Sequence, residues 1–322
     1  MNLPAREKVL FIVNPTSGKM TLKNDFFRII RVFSDAGYEP TVLMTTKPGD
    51  AVKIARNYGP KFNKVISCGG DGTLNEVVSG LMCVSEAERP CVGFIPAGTT
   101  NDLAETLKMP KNPIEAAVAI IKGTPAPNDV GIFNSTRYFN YIASCGAFTS
   151  TSYATPQNMK NSLGHMAYVF EGIKSLGEIK PMHIKVESEE MNFEDDFVFM
   201  AVTNALSVAG IYKFDPKLVN LNDGLFEVTL IKMPKNTAEV VDVLFQLGDL
   251  TNTKNSSVVF FRTNKVTFTS DDPISWTVDG EFGGKLNKIA IQNKKSAINI
   301  IRAPAQMPEI KNTEPAEQET NE

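Results

Sequence analysis

Three times within the first hundred residues, a short apolar run stops at a turn of small residues and a helical pattern begins. The turns are NPTSGK (14–19), GGDGT (69–73) and PAGTTND (96–102). Before the first lies VLFIV (9–13), continuously apolar, as expected of a strand covered on both faces. KVISC precedes the second turn and VGFIP the third. The spacing predicts a helix at TLKNDFFRIIRVFSDAG, where Phe26, Ile29, Ile30 and Phe33 share one face and Gly37 is a stop. Further helices are predicted at DAVKIARNYG, TLNEVVSGLM, NDLAETLK and NPIEAAVAIIKG, with one more strand at PTVLMT. Strands that alternate with helices build βαβ units and a mostly parallel sheet.

After about residue 128 the rhythm changes. DVGIFNSTRYFNYIAS, MHIKVES, DFVFMAVTNAL, GLFEVTLIKM, VVFFRTNKVTFTS, SWTVDGEF and AINIIRAP are strand-like. Helical segments are predicted near 161–177 and 237–249. The expected fold is thus an α/β domain over 1–128 followed by a larger, antiparallel, sandwich-like domain over 129–302, its last strand free to return to domain one. Residues 303–322 hold five Glu, three Pro and one Lys with almost nothing to bury, and are expected to be a disordered acidic tail.

With 322 residues, 42% hydrophobic, the chain is long enough for two domains with real cores. Its formal net charge of −3 argues against a general nucleic-acid binder, leaving room for a local basic face. The apolar stretch after the first residues is too short for a signal-peptide core, and no run reaches the 18 to 20 or so residues that span a bilayer. Cys68, Cys83, Cys91 and Cys145 have no CxxC spacing and are expected to be reduced thiols in a cytoplasmic protein. His165 and His183 are too few and too far apart for a histidine zinc site.

In open α/β sheets ligands bind at the carboxyl ends of strands, where helix N-termini offer free N–H groups and a partial positive charge. Glycine lets the backbone come close to phosphate oxygens. A tight strand-to-helix turn would account for any one of the three loops. Three in one domain point to a bound polyphosphate. Neither GxxxxGK[ST] nor GxGxxG is met, because Val13, Met20 and Asn75 stand at required positions. Asp71, set among glycines, needs its own account. A carboxylate beside phosphates is repelled unless a cation intervenes, and Mg²⁺ carried by a nucleotide is the usual mediator. Asp102 is either a second contributor or, with Asn101, a helix cap.

The second domain offers VDGE (278–281), where two carboxylates flank a turn glycine. This is either a solvated hairpin tip or the source of a proton acceptor on the far wall of a cleft. DDP (271–273) reads as a loop, and NDG (222–224) as a turn.

Taken in order, NPTSGK, GGDGTLNEVVSGL and PAGTTNDLA resemble the diacylglycerol-kinase catalytic fold shared with sphingosine and ceramide kinases. TSYATPQNMKNSLGHMAYVFEGIKSL, LVNLNDGLFEVTLI and VDGEFGGKL resemble the soluble diacylglycerol kinases of Gram-positive bacteria. The likeness covers about residues 8–302. GGDGT alone is shared with phosphofructokinase-like and NAD-kinase-like enzymes, whereas the whole set is specific. Ala97 and Thr100 fall where the family varies, and SVAGI (207–211) is less glycine-rich than in many members, which leaves substrate choice open.

The resemblance implies ATP contacts at Asn14, Pro15, Ser17, Gly18, Lys19, Thr46, Gly69, Gly70, Asp71, Gly72, Thr73 and Thr99, with Asp102 alongside. It implies a proton acceptor at Glu281, with Asp279 and Asp71 as rivals for that role. It also implies a structural Mg²⁺ held by the Asp223 side chain with backbone oxygens of Asn220 and Leu225. The activity so implied is ATP-dependent phosphorylation of diacylglycerol or a similar lipid to give phosphatidic acid, through peripheral contact with the inner membrane face. Lys19, Lys23, Lys160 and Lys174 are candidates for a basic cleft mouth. A homodimer is compatible with this reading. The rival readings are another lipid acceptor of sphingoid or undecaprenol type, a soluble-metabolite kinase related to NAD kinases, and a nucleotide-binding regulator without catalysis.

Overall fold

A computed structural model describes residues 6–18, 22–98, 101–146, 180–208, 212–214, 219–248 and 257–305. The helix expected near 161–177, the tail from 306 onward, and Lys19, Thr99, Lys160, Lys174 and His165 lie outside the described residues.

The first half alternates as its sequence pattern dictates. Its strands are β1 (Glu7–Val13), β2 (Tyr38–Met44), β3 (Lys64–Gly69) and β4 (Cys91–Pro96). Between and after them come α1 (Leu22–Asp35), α2 (Asp50–Tyr58), α3 (Asp71–Met82), α4 (Asp102–Thr106) and α5 (Pro113–Lys122). β1 lies between β2 and β3, and β3 pairs with β4, all parallel. α1 turns Leu22, Ile29 and Phe33 into the core, where Phe33 meets Phe11 edge-on at 4.9 Å. α5 opens on Asn112, whose side chain accepts the N–H groups of Ile114 and Glu115, with Pro113 at the first helical position.

The second half is built from β5 (Thr124–Phe133), β6 (Arg137–Phe139), β7 (Ile142–Gly146), β8 (Met182–Ser188), β9 (Asn192–Thr203), the two-residue β10 (Ser207–Val208) and β11 (Tyr212–Lys213), β12 (Phe226–Lys232), α6 (Thr237–Gly248), β13 (Val258–Thr263), β14 (Lys265–Val278) and β15 (Glu281–Arg302). Trp276, Phe139, Phe197, Phe226 and Phe268 fill its own fully buried cluster.

Hydrogen bonding runs without a break from one half to the other, in the order β2-β1-β3-β4-β15-β14-β7-β9-β12-β13. β15 makes the join. Its start pairs antiparallel with β14, and its end pairs with β5 and sets Ile300 opposite Val92 in parallel β4. β5 begins at Thr124 and so runs through residue 128. The DDP stretch is not a loop. It lies inside β14 as a bulge, where the register slips between Thr269 and Ile274. The bulge accommodates a proline and two carboxylates that a regular ladder would reject.

Candidate active site

The three glycine-rich turns meet at the carboxyl ends of β1, β3 and β4, and they pack first of all against each other. Gly18 has φ +57, and a Cβ there would lie 2.2 Å from the Ala97 carbonyl oxygen. A Cβ on Gly98 would lie 2.6 Å from the Gly70 Cα. Gly69 makes room for Thr73 one turn along α3, its Cβ position being 2.4 Å from Thr73 Oγ1. Asn14 ties two turns together: its backbone N–H donates to Cys68 O at 2.9 Å and its side-chain amide to Thr73 Oγ1 at 3.2 Å.

Gly72 is different. The nearest atom to a Cβ placed there is Glu281 Oε1, at 3.9 Å, so no neighbouring protein group demands glycine at that position. Gly72 sits in the first turn of α3, where N–H groups lack intrahelical acceptors. The VDGE hairpin of the second domain lies opposite, at van der Waals distance from that Cβ position.

Asp71 has a role within the protein itself. Its two oxygens accept the N–H groups of Asp102 and Leu103, at 2.8 and 3.1 Å, and so cap α4. Burial raises its pKa, against the pull of those two bonds. Asn101 precedes α4 in the left-handed conformation, φ 52, and its amide closes on both the N–H and the carbonyl of Gly98. Asp102 is therefore the first residue of α4 rather than its cap. Burial, then the charges of Asp71 and Glu105, push Asp102 up to about 6.

Asp279 and Gly280 both have positive φ, 47 and 81, a two-residue hairpin turn with Val278 paired to Glu281. The turn is not a solvated tip. The Asp279 carboxylate is buried and accepts three N–H groups, from Asn140 at 2.7 Å, Tyr141 at 3.1 Å and Ile142 at 3.0 Å. Burial, with a smaller contribution from the Asp71 charge, pushes it up to about 7, although those three bonds pull it down. Glu281 is open by contrast, its side chain 64% exposed, with Oε2 3.1 Å from Arg137. A buried pair, Asn140 donating to Asn75 Oδ1 at 3.3 Å, fastens this hairpin's support to α3.

Thr46 follows Thr45, whose N–H donates to Val13 O at 2.9 Å beside the first turn. The Thr46 N–H and hydroxyl both donate to Asp50, while Glu76 of α3 caps α2 through Gly49 and Ala51. Pro15 and Ser17 lie in the first turn, where the Ser17 N–H donates to Asn14 O. Glu76, Asn140 and Arg137 were not singled out in the sequence. Glu76 belongs to the GGDGTLNE stretch and could have been asked what it caps, whereas Arg137 reaches Glu281 only through the fold.

Asn220, Asp223 and Leu225 share one turn, in which protein donors engage both oxygens of Asp223. Asp223 Oδ2 pairs with Arg262, and its Oδ1 accepts the Leu225 N–H at 3.0 Å. Arg262 also meets buried Glu227 at 3.1 Å. Burial pushes Glu227 up to about 8, with Arg262 opposing. No cluster of three or more acidic, Cys or His side chains suited to a metal is found among the described residues.

Comparison with known proteins matches this architecture. The family model described as "Diacylglycerol kinase catalytic domain" covers residues 8–133, and "YegS C-terminal NAD kinase beta sandwich-like domain" covers 145–302. The chain is 34% identical to "Diacylglycerol kinase" of Bacillus subtilis over 87% of its own length and 91% of that protein's. It is likewise 34% identical to the protein of that name in Staphylococcus aureus, over 87% and 88%. A crystal structure of a putative diacylglycerol kinase from Bacillus anthracis superposes with a TM-score of 0.75 at 26% identity, covering 93% of this chain and 99% of that one. Both halves of the fold and the whole span of its site motifs therefore place the chain in the diacylglycerol kinase family.

Proposed function

We propose that the protein transfers the γ-phosphoryl group of ATP to the hydroxyl of diacylglycerol, giving phosphatidic acid and ADP. The observation that carries this is the approach of Glu281 Oε1 to Gly72, 3.9 Å from a Cβ placed there, which sets a helix N-terminus against a carboxylate from the other domain. Phosphate oxygens lie at the α3 N-terminus, where N–H groups and the helix dipole favour negative charge. Glu281 accepts the proton of the attacking hydroxyl. Asp279 holds the hairpin that carries Glu281 and takes no proton from substrate. Mg²⁺ bound with the nucleotide would neutralise charge on the transferring phosphate. Each Asp71 oxygen accepts one N–H and keeps a second lone pair, so Asp71 fits the outer shell of that ion while orienting α4. The Asp223 turn takes no part in the reaction.

The acceptor resides in a bilayer, so the enzyme works from the cytoplasm at a membrane surface. Among the described residues no helix is long and apolar enough to cross one. Lys23 is exposed at the start of α1, beside the nucleotide turns, and suits an anionic surface. The test is to incubate the protein with labelled ATP and separate vesicles containing diacylglycerol, a sphingoid base or undecaprenol, with NAD as a soluble control. Label in phosphatidic acid supports the proposal, and label in another acceptor with none in diacylglycerol replaces the substrate named here.

A further inference from the structure

We infer that Arg137 is the positioning residue for the Glu281 carboxylate, an inference that rests on the role proposed above for Glu281. Arg137 stands at the start of β6 and grips the VDGE hairpin at three points. Its Nη1 donates to Phe282 O at 2.6 Å, and its Nη2 to Val278 O at 3.3 Å and to Glu281 Oε2 at 3.1 Å. The two carbonyls bracket the turn, so the guanidinium reads the backbone on both sides of Asp279-Gly280 and then takes one carboxylate oxygen. The other oxygen, Oε1, is the one that faces Gly72.

The arm that carries Arg137 is itself fixed. Between β5 and β6, Asn134 and Ser135 form a turn with positive φ at both residues. Asn134 donates its N–H to Ala290 O and accepts the Ala290 N–H on its side chain, at 2.9 and 2.8 Å. Arg137 thus works from a base clamped to β15, the strand that begins with Glu281. A half-exposed ion pair adds little to stability, and an exposed glutamate left alone samples several rotamers. The planar fork of arginine restricts that freedom, and a lysine could not hold all three oxygens at once.

The test uses the full chain with Arg137→Gln, Arg137→Lys and Glu281→Gln, measuring turnover on diacylglycerol vesicles, ATP binding by titration, and melting temperature. Arg137→Gln is expected to lower kcat about 10- to 100-fold, with ATP affinity within about threefold and melting nearly unchanged. Arg137→Lys should lose less. Millimolar guanidinium should restore part of the turnover of Arg137→Gln and none of that of Glu281→Gln. Glu281→Gln dead with Arg137→Gln active within about threefold overturns the positioning role alone. A loss in Arg137→Gln that tracks a lowered melting temperature and resists guanidinium assigns Arg137 to the fold instead, and also overturns it. Normal turnover in Glu281→Gln removes the role of Glu281 and this inference with it.

Discussion

The carboxylate of Asp71, at the start of one helix, is the cap of another: it accepts the Asp102 N–H at 2.8 Å and so locks the third glycine-rich turn to the second. Its substitution therefore acts on two levels. Asp71→Asn should cost about 1 kcal/mol of stability, as for a weakened helix cap, and at least about 100-fold in rate through lost charge and a misplaced α4. Near-normal turnover in the folded variant would remove Asp71 from the mechanism.

The glycines of the three turns should separate by what they touch. Gly98→Ala forces a carbon to 2.6 Å from Gly70 Cα and should lower melting by several degrees. Gly72→Ala meets only Glu281 Oε1 at 3.9 Å, so its melting should stay within about a degree or two while ATP affinity falls about tenfold or more. Titration with ATP and a melting curve on both variants decide it. Unchanged ATP affinity in Gly72→Ala would mean that the phosphates lie elsewhere.

Glu281→Gln and Asp279→Asn should fail differently. Glu281→Gln should lose about 10² to 10⁴ in turnover with ATP binding and melting intact. Asp279→Asn turns one of two buried acceptor oxygens into an amide donor facing a backbone N–H, and should cost about 1 to 3 kcal/mol in stability as well. If Asp279→Asn melts like the parent and is dead while Glu281→Gln turns over, the base is Asp279.

Stability should fall as pH rises through neutrality. Burial lifts Asp102 to about 6, Asp279 to about 7 and Glu227 to about 8. In each case the folded value lies above the unfolded one, so between the two the native state keeps a proton that the unfolded chain has released. Their contribution is full below about pH 4 and declines as pH rises through each folded value. Melting temperature should therefore be higher at pH 5.5 than at pH 8. Asp279→Asn and Glu227→Gln should each flatten that slope. A slope unchanged in both variants would assign it to other groups.

Arg262 should stand in for a metal at the Asp223 turn. Chelator or added Mg²⁺ should leave the melting temperature of the nucleotide-free protein unchanged. Arg262→Gln, which takes a hydrogen-bond donor from Asp223 and from buried Glu227, should cost about 1 to 3 kcal/mol. A rise in melting temperature with Mg²⁺ that disappears in Asp223→Ala would restore the metal reading.

The α/β half was legible because its signals are local. VLFIV and VGFIP are apolar throughout and KVISC is apolar at its centre, and each is followed by a turn and a periodic helix, as the sheet requires. The Asp279-Gly280 turn was legible for the same reason, since few residues tolerate two positive φ values in succession. What Asp279 does could not be read locally. Its partners are Asn140, Tyr141 and Ile142, brought to it by strand pairing across the sheet. The bulk of β15 escaped notice because EFGGKLNK is rich in Gly, Lys and Asn, which suggest a loop until a partner strand supplies the ladder. Glycine itself misled in part: in the three turns, most of the missing side chains make room for neighbouring protein, and only at Gly72 would an added carbon meet its neighbour at ordinary contact distance.

The return of β15 to β4 also sets the order in which the chain can be completed. Val92 finds its partner at Ile300, so the open edge of β4 waits, as the chain leaves the ribosome, until about two hundred further residues have been made. An exposed parallel edge is a template for wrong pairing, and contacts this distant in sequence close slowly. The N-terminal half expressed alone would keep that edge bare, and a newborn chain would need shelter from aggregation until its last strand arrives.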